Sequence, residues 1–259
     1  MNRKLWRIIV PLCALMVFAT WASSAYAQSD AKKKPPMYSY VGFWNIPRAQ
    51  WGDMEKSRAA DQKILDKAVA DGLLVGYGDD MTVVHEPDGY SHDDWWSSMS
   101  MAGILNVLDQ FYKAGASTTP VLESATRHGD GIFVTRYYNW HSGSWKGAYS
   151  HVSAFKLKSS APDDALDTLA TTLIVPLLDK LLADGTLHEY EIDTEAIHTQ
   201  SPDMFWIDYI GANAEALDKV DAALGAMMKA NPLGGPAFDA WTDYNGHHDF
   251  LLHTNATFK

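Results

Sequence analysis

Hydrophobic positions along this chain switch between a two-residue and a 3.6-residue period, and the switches come twice in the same order. Residues 38–46 alternate, are rich in β-formers and end at Pro47, which predicts a strand. Over residues 52–71 the period becomes helical: Met54, Ile64, Leu65, Ala68 and Val69 form an apolar stripe, and Gly72 is its stop. Residues 73–86 predict a second strand, bent at Gly76 and Gly78, and Pro87-Asp88-Gly89 a turn. A third strand over 95–102, a helix over 104–113 and a fourth strand over 131–140 follow. The series then restarts with a strand over 148–158. The helix after it opens at Pro162, carries Leu166, Leu169, Leu173, Leu177 and Leu181, and should kink at Pro176. Strands over 187–199 and 204–211, a helix over 214–230, a break over 231–235 and a last strand over 250–258 complete it.

The two series also share words. Leu65-Asp66-Lys67-Ala68-Val69-Ala70-Asp71-Gly72 returns as Leu178-Asp179-Lys180-Leu181-Leu182-Ala183-Asp184-Gly185, and at the same spacing Val84-His85 falls on Ile197-His198. A period this long is no solenoid repeat; it reads as a duplicated, domain-sized half.

The first residues carry a different pattern. Arg3, Lys4 and Arg7 precede an apolar run over 8–22, and Ala25-Tyr26-Ala27 is a small-x-small cleavage site. The run is about 15 residues, short of the ~20 that span a bilayer, so 1–27 reads as a Sec-type signal peptide cut after Ala27, and the protein as periplasmic or secreted. Residues 28–36, with Lys32-Lys33-Lys34-Pro35-Pro36, read as a flexible leader. Cys13 is the only cysteine and lies in the signal, so the mature chain is expected to have neither disulfide nor thiolate chemistry. The net charge of −11 becomes more negative once that acid-free segment is removed. It argues against nucleic acid and anionic membrane surfaces as partners. Ten Trp and twelve Tyr suggest aromatic-lined surfaces or an aromatic core.

Strand-helix-strand-strand-helix-strand is the ferredoxin-like split unit. The α+β fold expected is therefore two tandem ferredoxin-like halves, 37–143 and 144–259, covering each other's bare sheet faces and forming a pseudo-dimeric α+β barrel. With this order and repeat the chain, over residues 37–259, resembles the dimeric α+β barrel superfamily in a tandem single-chain form. That superfamily includes cofactor-less monooxygenases of the antibiotic-biosynthesis type, EthD- and NIPSNAP-like proteins, and the haem-binding chlorite-dismutase and dye-decolourising-peroxidase groups. The resemblance implies a pocket between a sheet and its helices, but the fold hosts many chemistries. Two function classes follow. One is an exported protein that binds a small aromatic or apolar molecule. The other is a cofactor-less monooxygenase or related small-molecule enzyme, with His151, Tyr40 and Trp206 deprotonating and orienting its substrate. Haem binding ranks third, and no cofactor or metal is expected. A monomer is expected, with a homodimer as the alternative.

Four constellations could carry chemistry. His85 and His198 end equivalent strands, either as bases or ligands at paired sites or as anchors of the turns that follow. The run 136–145 joins the halves; its Arg136, Trp140 and His141 could line a pocket, or the run could seal the two halves together. Tyr90-Ser91-His92-Asp93-Asp94 is too contiguous to wrap one ion and reads as a solvated loop, and His247-His248-Asp249 fails as a metal site for the same reason. Last, Trp44, Trp96 and Tyr209 join His151, Tyr40 and Trp206 as pocket residues, against the alternative that they are core. The glycine-rich, P-loop, Gly-x-Ser-x-Gly and His-Glu-x-x-His signatures are absent.

Overall fold

The computed structural model describes residues 34–86, 89–199 and 202–259. The signal-peptide reading, Cys13 and most of the expected leader lie outside the described residues. Residues 35–259 form one compact unit. Its strands are β1 (Met37–Asn45), β2 (Gly76–Thr82), β3 (His92–Ser98), β4 (Arg127–Trp140), β5 (Gly143–Leu157), β6 (Leu187–Glu195), β7 (Met204–Gly211) and β8 (Thr242–Phe258). The helices are α1 (Trp51–Ala70), α2 (Met101–Ala114), the short α3 (Pro120–Glu123), α4 (Ala165–Leu169), α5 (Val175–Ala183), α6 (Ala214–Ala230) and α7 (Gly234–Trp241). No helix among the described residues is long and apolar enough to cross a membrane.

The strands close on themselves in the order β1-β3-β2-β8-β5-β7-β6-β4, every neighbour antiparallel. This overturns the expectation of two tandem ferredoxin-like halves. β4 is hydrogen-bonded to β6 and β2 to β8, so one sheet continues across both seams. The physical reason lies in the sheet edges. An uncovered edge leaves a row of unpaired N–H and C=O groups, and closure satisfies them all. The expectation considered only bare faces. It also cut β4, β5 and β8 short: β8 begins at Thr242 and β5 at Gly143, and these added residues supply part of the pairing.

Caps fix the helices locally. Ser100 Oγ accepts from the Gly103 N–H (3.1 Å) at the start of α2, and Gly115, at φ +69°, ends it. Asn213 Oδ1 does the same for α6 from Ala216 N–H (3.0 Å). The kink expected at Pro176 is a π turn, Ala170–Ile174, between α4 and α5. It widens the helix where proline removes a donor and its ring crowds the preceding turn. Ile104, Val107 and Phe111 of α2 bury against Tyr40, Tyr77 and Trp96 on the outer face of the barrel.

Between α1 and the β2–β3 wall sits a buried cation. Arg58 Nη2 donates to the carbonyls of Asp80 (2.9 Å) and Asp93 (2.6 Å), and Nη1 to Asp79 Oδ1 (3.3 Å). Its Nε lies 2.7 Å from Asp94 Oδ1 but its N–H does not point at that oxygen, so this is a charge contact rather than a hydrogen bond. Burial pushes the Asp94 carboxyl up to about 7, against the pull of Arg58. Removing one partner of a buried pair strands the other. Arg58→Ala is therefore expected to cost about 3–5 kcal/mol in urea unfolding at pH 8. The loss should shrink at pH 5, where Asp94 takes a proton; an equal loss at both values would show that Asp94 is not the stranded partner.

Candidate functional site

Alternation sends every second strand residue into the barrel. The lumen is not filled: it holds a cavity of about 550 Å³. At the end where β2 begins and β8 finishes, aromatic rings plug it. Trp140 stacks on Phe258 and on Tyr138, each at 5.5 Å, and Trp145 meets the Phe258 ring at 6.3 Å. At the opposite end the cavity reaches solvent past the exposed Glu86, Arg127 and Thr199. Two glycines let rings lie against the wall. A Cβ at Gly78 would come within 2.4 Å of the Trp95 indole, and one at Gly76 within 2.5 Å of the Phe258 ring.

The lining is divided. An apolar belt is formed by Val41, Phe43, Phe133, Val152, Trp206 and Phe250, with Phe133 edge-on to Trp206 at 5.0 Å. Beside it stand six carboxyls. Asp80 of β2 pairs across the sheet with Asp93 of β3, and Glu191 of β6 with Asp208 of β7. Glu189 and Asp193 flank Glu191 on the same face of β6. Asp208 is half-buried, and the other five are each under a tenth exposed.

Neutral donors serve part of this acid wall. Trp95 Nε1 donates to Asp80 Oδ2 (3.0 Å), and Ser150 Oγ to Asp208 Oδ1 (2.9 Å). Thr135 Oγ1 shares its one proton between Asp193 and Glu191, the latter at 3.3 Å. Ser39 Oγ stands 2.8 Å from Ser97 Oγ and 3.5 Å from Glu191 Oε2. Among the described residues Glu189 Oε1 has no hydrogen-bond partner. Burial pushes every one of these acids toward its protonated form. It lifts Asp93 to about 6, and Asp193 and Asp208 to about 7. Asp80, Glu189 and Glu191 lie well above the ordinary range, through burial and then through neighbouring carboxylates.

The nine pocket residues expected from sequence do not converge. Trp206 lines the lumen. Tyr40 and Trp96 stack on each other (4.3 Å) on the outer face, with Trp96 against Phe111 of α2 (5.1 Å), and the Tyr40 hydroxyl donates to Asp130. Trp44 stacks on His128 at 5.0 Å. His151 also points outward, its ring 5.3 Å from Tyr209 and its Nε2 3.7 Å from Asp249. Burial lowers its pKa. Arg136 is exposed, Trp140 belongs to the plug, and His141 Nε2 pairs with the Leu182 carbonyl (2.9 Å). The cavity is thus inside the barrel and not, as the resemblance implied, between sheet and helices.

His85 and His198 are both exposed. The His85 ring lies 5.2 Å from that of Trp51, and among the described residues neither imidazole makes a hydrogen bond. The stretch expected to be a solvated loop is instead largely β3. His92 is fully buried with Nδ1 2.9 Å from Ser91 Oγ, Asp93 faces the lumen and Asp94 faces Arg58. Among the described residues no three His, Cys, Asp or Glu side chains gather closely enough to hold a metal ion.

Sequence reasoning missed the acid wall. Its signal was present in Glu189-Tyr190-Glu191-Ile192-Asp193, where acids and apolar residues alternate strictly. Acids at period two are ordinarily a solvent face, and here the second face of the strand is the lumen.

No protein-family model matches the chain, and no curated protein matches it in sequence. Solved structures do match in fold. A candidate monooxygenase from Lactobacillus acidophilus NCFM superposes with a TM-score of 0.63 at 10% identity, over 87% of this chain and 97% of the other. A second, from Fusobacterium nucleatum subsp. nucleatum, gives 0.62 at 7% identity, over 88% and 96%. A chlorite dismutase from Candidatus Nitrospira defluvii gives 0.50 at 10% identity, over 90% and 94%. These neighbours are dimeric α+β barrel proteins, and the likeness to them is one of fold.

The folded barrel holds protons that the unfolded chain releases near pH 4. Stability is therefore expected to fall as pH rises from about 4 through about 7, the range in which Asp93, Asp193 and Asp208 lose their protons in the folded barrel, and Asp208→Asn should flatten the slope. Thermal melts across that range check both, and a melting temperature rising with pH would contradict the acid wall. His85→Ala and His198→Ala are each expected to leave stability within about 0.5 kcal/mol in urea melts, as exposed residues whose side chains make no hydrogen bond among the described residues.

Proposed function

We propose that the protein binds a small organic molecule inside its barrel, with the apolar part of the ligand against Phe43, Phe133 and Trp206. The observation that carries this reading is the cavity itself. At about 550 Å³ it falls within the ~300–1,000 Å³ of small-molecule sites. It is apolar on one side, furnished with polar groups on the other, plugged at one end and reached by solvent at the other. Closure leaves no free sheet edge to recruit a second copy, which supports a monomer. The basic, then apolar, then Ala25-Tyr26-Ala27 pattern supports export of the binding protein.

A second reading is a cofactor-less oxygenase. It is supported by a carboxyl, that of Asp208, poised near neutrality beside Trp206 in a mostly apolar cavity, where it could take a proton from an oxidisable substrate. Protein-dependent oxygen uptake with a panel of polyphenols, lost in Asp208→Asn, is the outcome this reading requires; no uptake with any of them leaves binding alone.

The binding reading is tested with a neutral solvatochromic naphthalene dye, prodan. Its emission is expected to shift to the blue on binding. Val152→Trp, which fills the lumen, should weaken binding at least tenfold while the protein still melts cooperatively. Undiminished binding to that variant would place the dye elsewhere and reject the lumen as the site.

A further inference from the structure

The lumen concentrates acids without cations. Six carboxyls face it from β2, β3, β6 and β7, while β1, β5 and β8 contribute only neutral residues to its lining. Among the described residues the sole base in the lining is Arg127, at the solvent end, where its guanidinium lies 4.6 Å from the Tyr90 ring centroid, with Glu86 and Asp130 alongside. Arg58 reaches the same wall only from behind, through the carbonyls of Asp80 and Asp93.

Hydroxyls and one indole cannot satisfy this many acceptors. A serine or threonine hydroxyl and an indole each donate one proton, whereas an ionised carboxylate offers about four acceptor positions and a protonated carboxyl keeps acceptor capacity beside its one O–H. Glu189 shows the shortfall directly. It is 2% exposed, it faces the cavity, and among the described residues its Oε1 has no hydrogen-bond partner. An unpaired acceptor shut away from water is costly, and an ionised one more so.

We propose that the natural occupant of the lumen is an organic amine, its ammonium group seated between the Asp80–Asp93 pair and the Glu191–Asp208 pair, and its apolar body against Trp206 and Phe133. This rests on the lumen being a binding site and specifies what it binds. A protonated primary amine carries three donors on one cation, which is what the wall lacks. The aromatic walls favour an organic cation, since ring faces attract positive charge and stack against an apolar body. A bare metal ion fits less well: among the described residues no three His, Cys, Asp or Glu side chains gather closely enough to hold one, whereas an ammonium can also donate to the hydroxyls between the carboxyls.

The proposal has a protonic consequence. Asp93, Asp193 and Asp208 hold protons up to about pH 6–7 because they are buried. Seating a cation among them favours their charged forms, so binding at pH 7 should expel protons.

A matched series of probes tests it: 2-naphthylmethylamine, 2-naphthylmethanol and 2-naphthoate, with binding followed by calorimetry at pH 7 in two buffers of different ionisation enthalpy. The amine is expected to bind at least tenfold more tightly than the alcohol, the carboxylate not measurably, and the amine alone to release protons. Glu191→Gln and Asp208→Asn should each remove most of the amine's advantage while leaving the alcohol's affinity in place; thermal melts show that each variant is folded. Equal affinity for amine and alcohol overturns the cationic assignment and leaves the lumen reading standing. Binding of neither overturns both. Displacement of the amine by calcium or zinc at stoichiometric concentration overturns the organic cation in favour of a metal.

Discussion

Every feature of the cavity depends on the hydrogen bonding that joins β4 to β6 and β2 to β8. Those two seams turn a sheet with edges into a sheet without them. A closed cylinder of eight strands must have an inside, and its residues are fixed by the alternation that closure imposes. The outer face can be covered by α1, α2, α5 and α6. The inner face can be covered only by its own side chains or by whatever enters.

Closure also decides the electrostatics. Glu189, Glu191 and Asp193 on an open sheet would be ordinary solvated acids. Within the cylinder the same residues lose water, crowd one another and turn toward their neutral forms. The outer wall shows the complementary solution. Asp79 and Asp94 face away from the lumen and meet Arg58, so charge on that side is compensated within the protein. Adjacent residues of β2 and β3 thus live under opposite regimes: Asp94 has a cation, and Asp93, one residue earlier, shares a wall with other acids.

Much of the local structure was legible in the sequence. The helix over 214–230 and the strand over 204–211 coincide with α6 and β7, because apolar periodicity and caps are local signals. α7 was not anticipated, and the break expected over 231–235 overlaps only its first two residues. That both series share one continuous hydrogen-bonded sheet was not legible, because hydrogen bonding between β4 and β6 is a property of backbone edges and leaves no mark on side-chain pattern. The site was lost by the same route. Histidine and tryptophan drew attention as chemically versatile residues, yet Trp96 and Tyr40 serve the outer core and His151 stacks on Tyr209. The acids escaped because, without an inside, alternating carboxylates have nowhere to point but water.

The contacts of Trp95 with Gly78 and of Phe258 with Gly76 bear on how such a barrel diversifies. Each ring lies in the space a methyl group would take, so the bore of the cylinder is set partly by what its wall omits. A single codon change at either glycine would drive a ring toward the axis and narrow the chamber while leaving every carboxyl in place. The dimensions of the accepted guest and the charge it must carry are thereby encoded at separate positions, and one can drift under selection without disturbing the other.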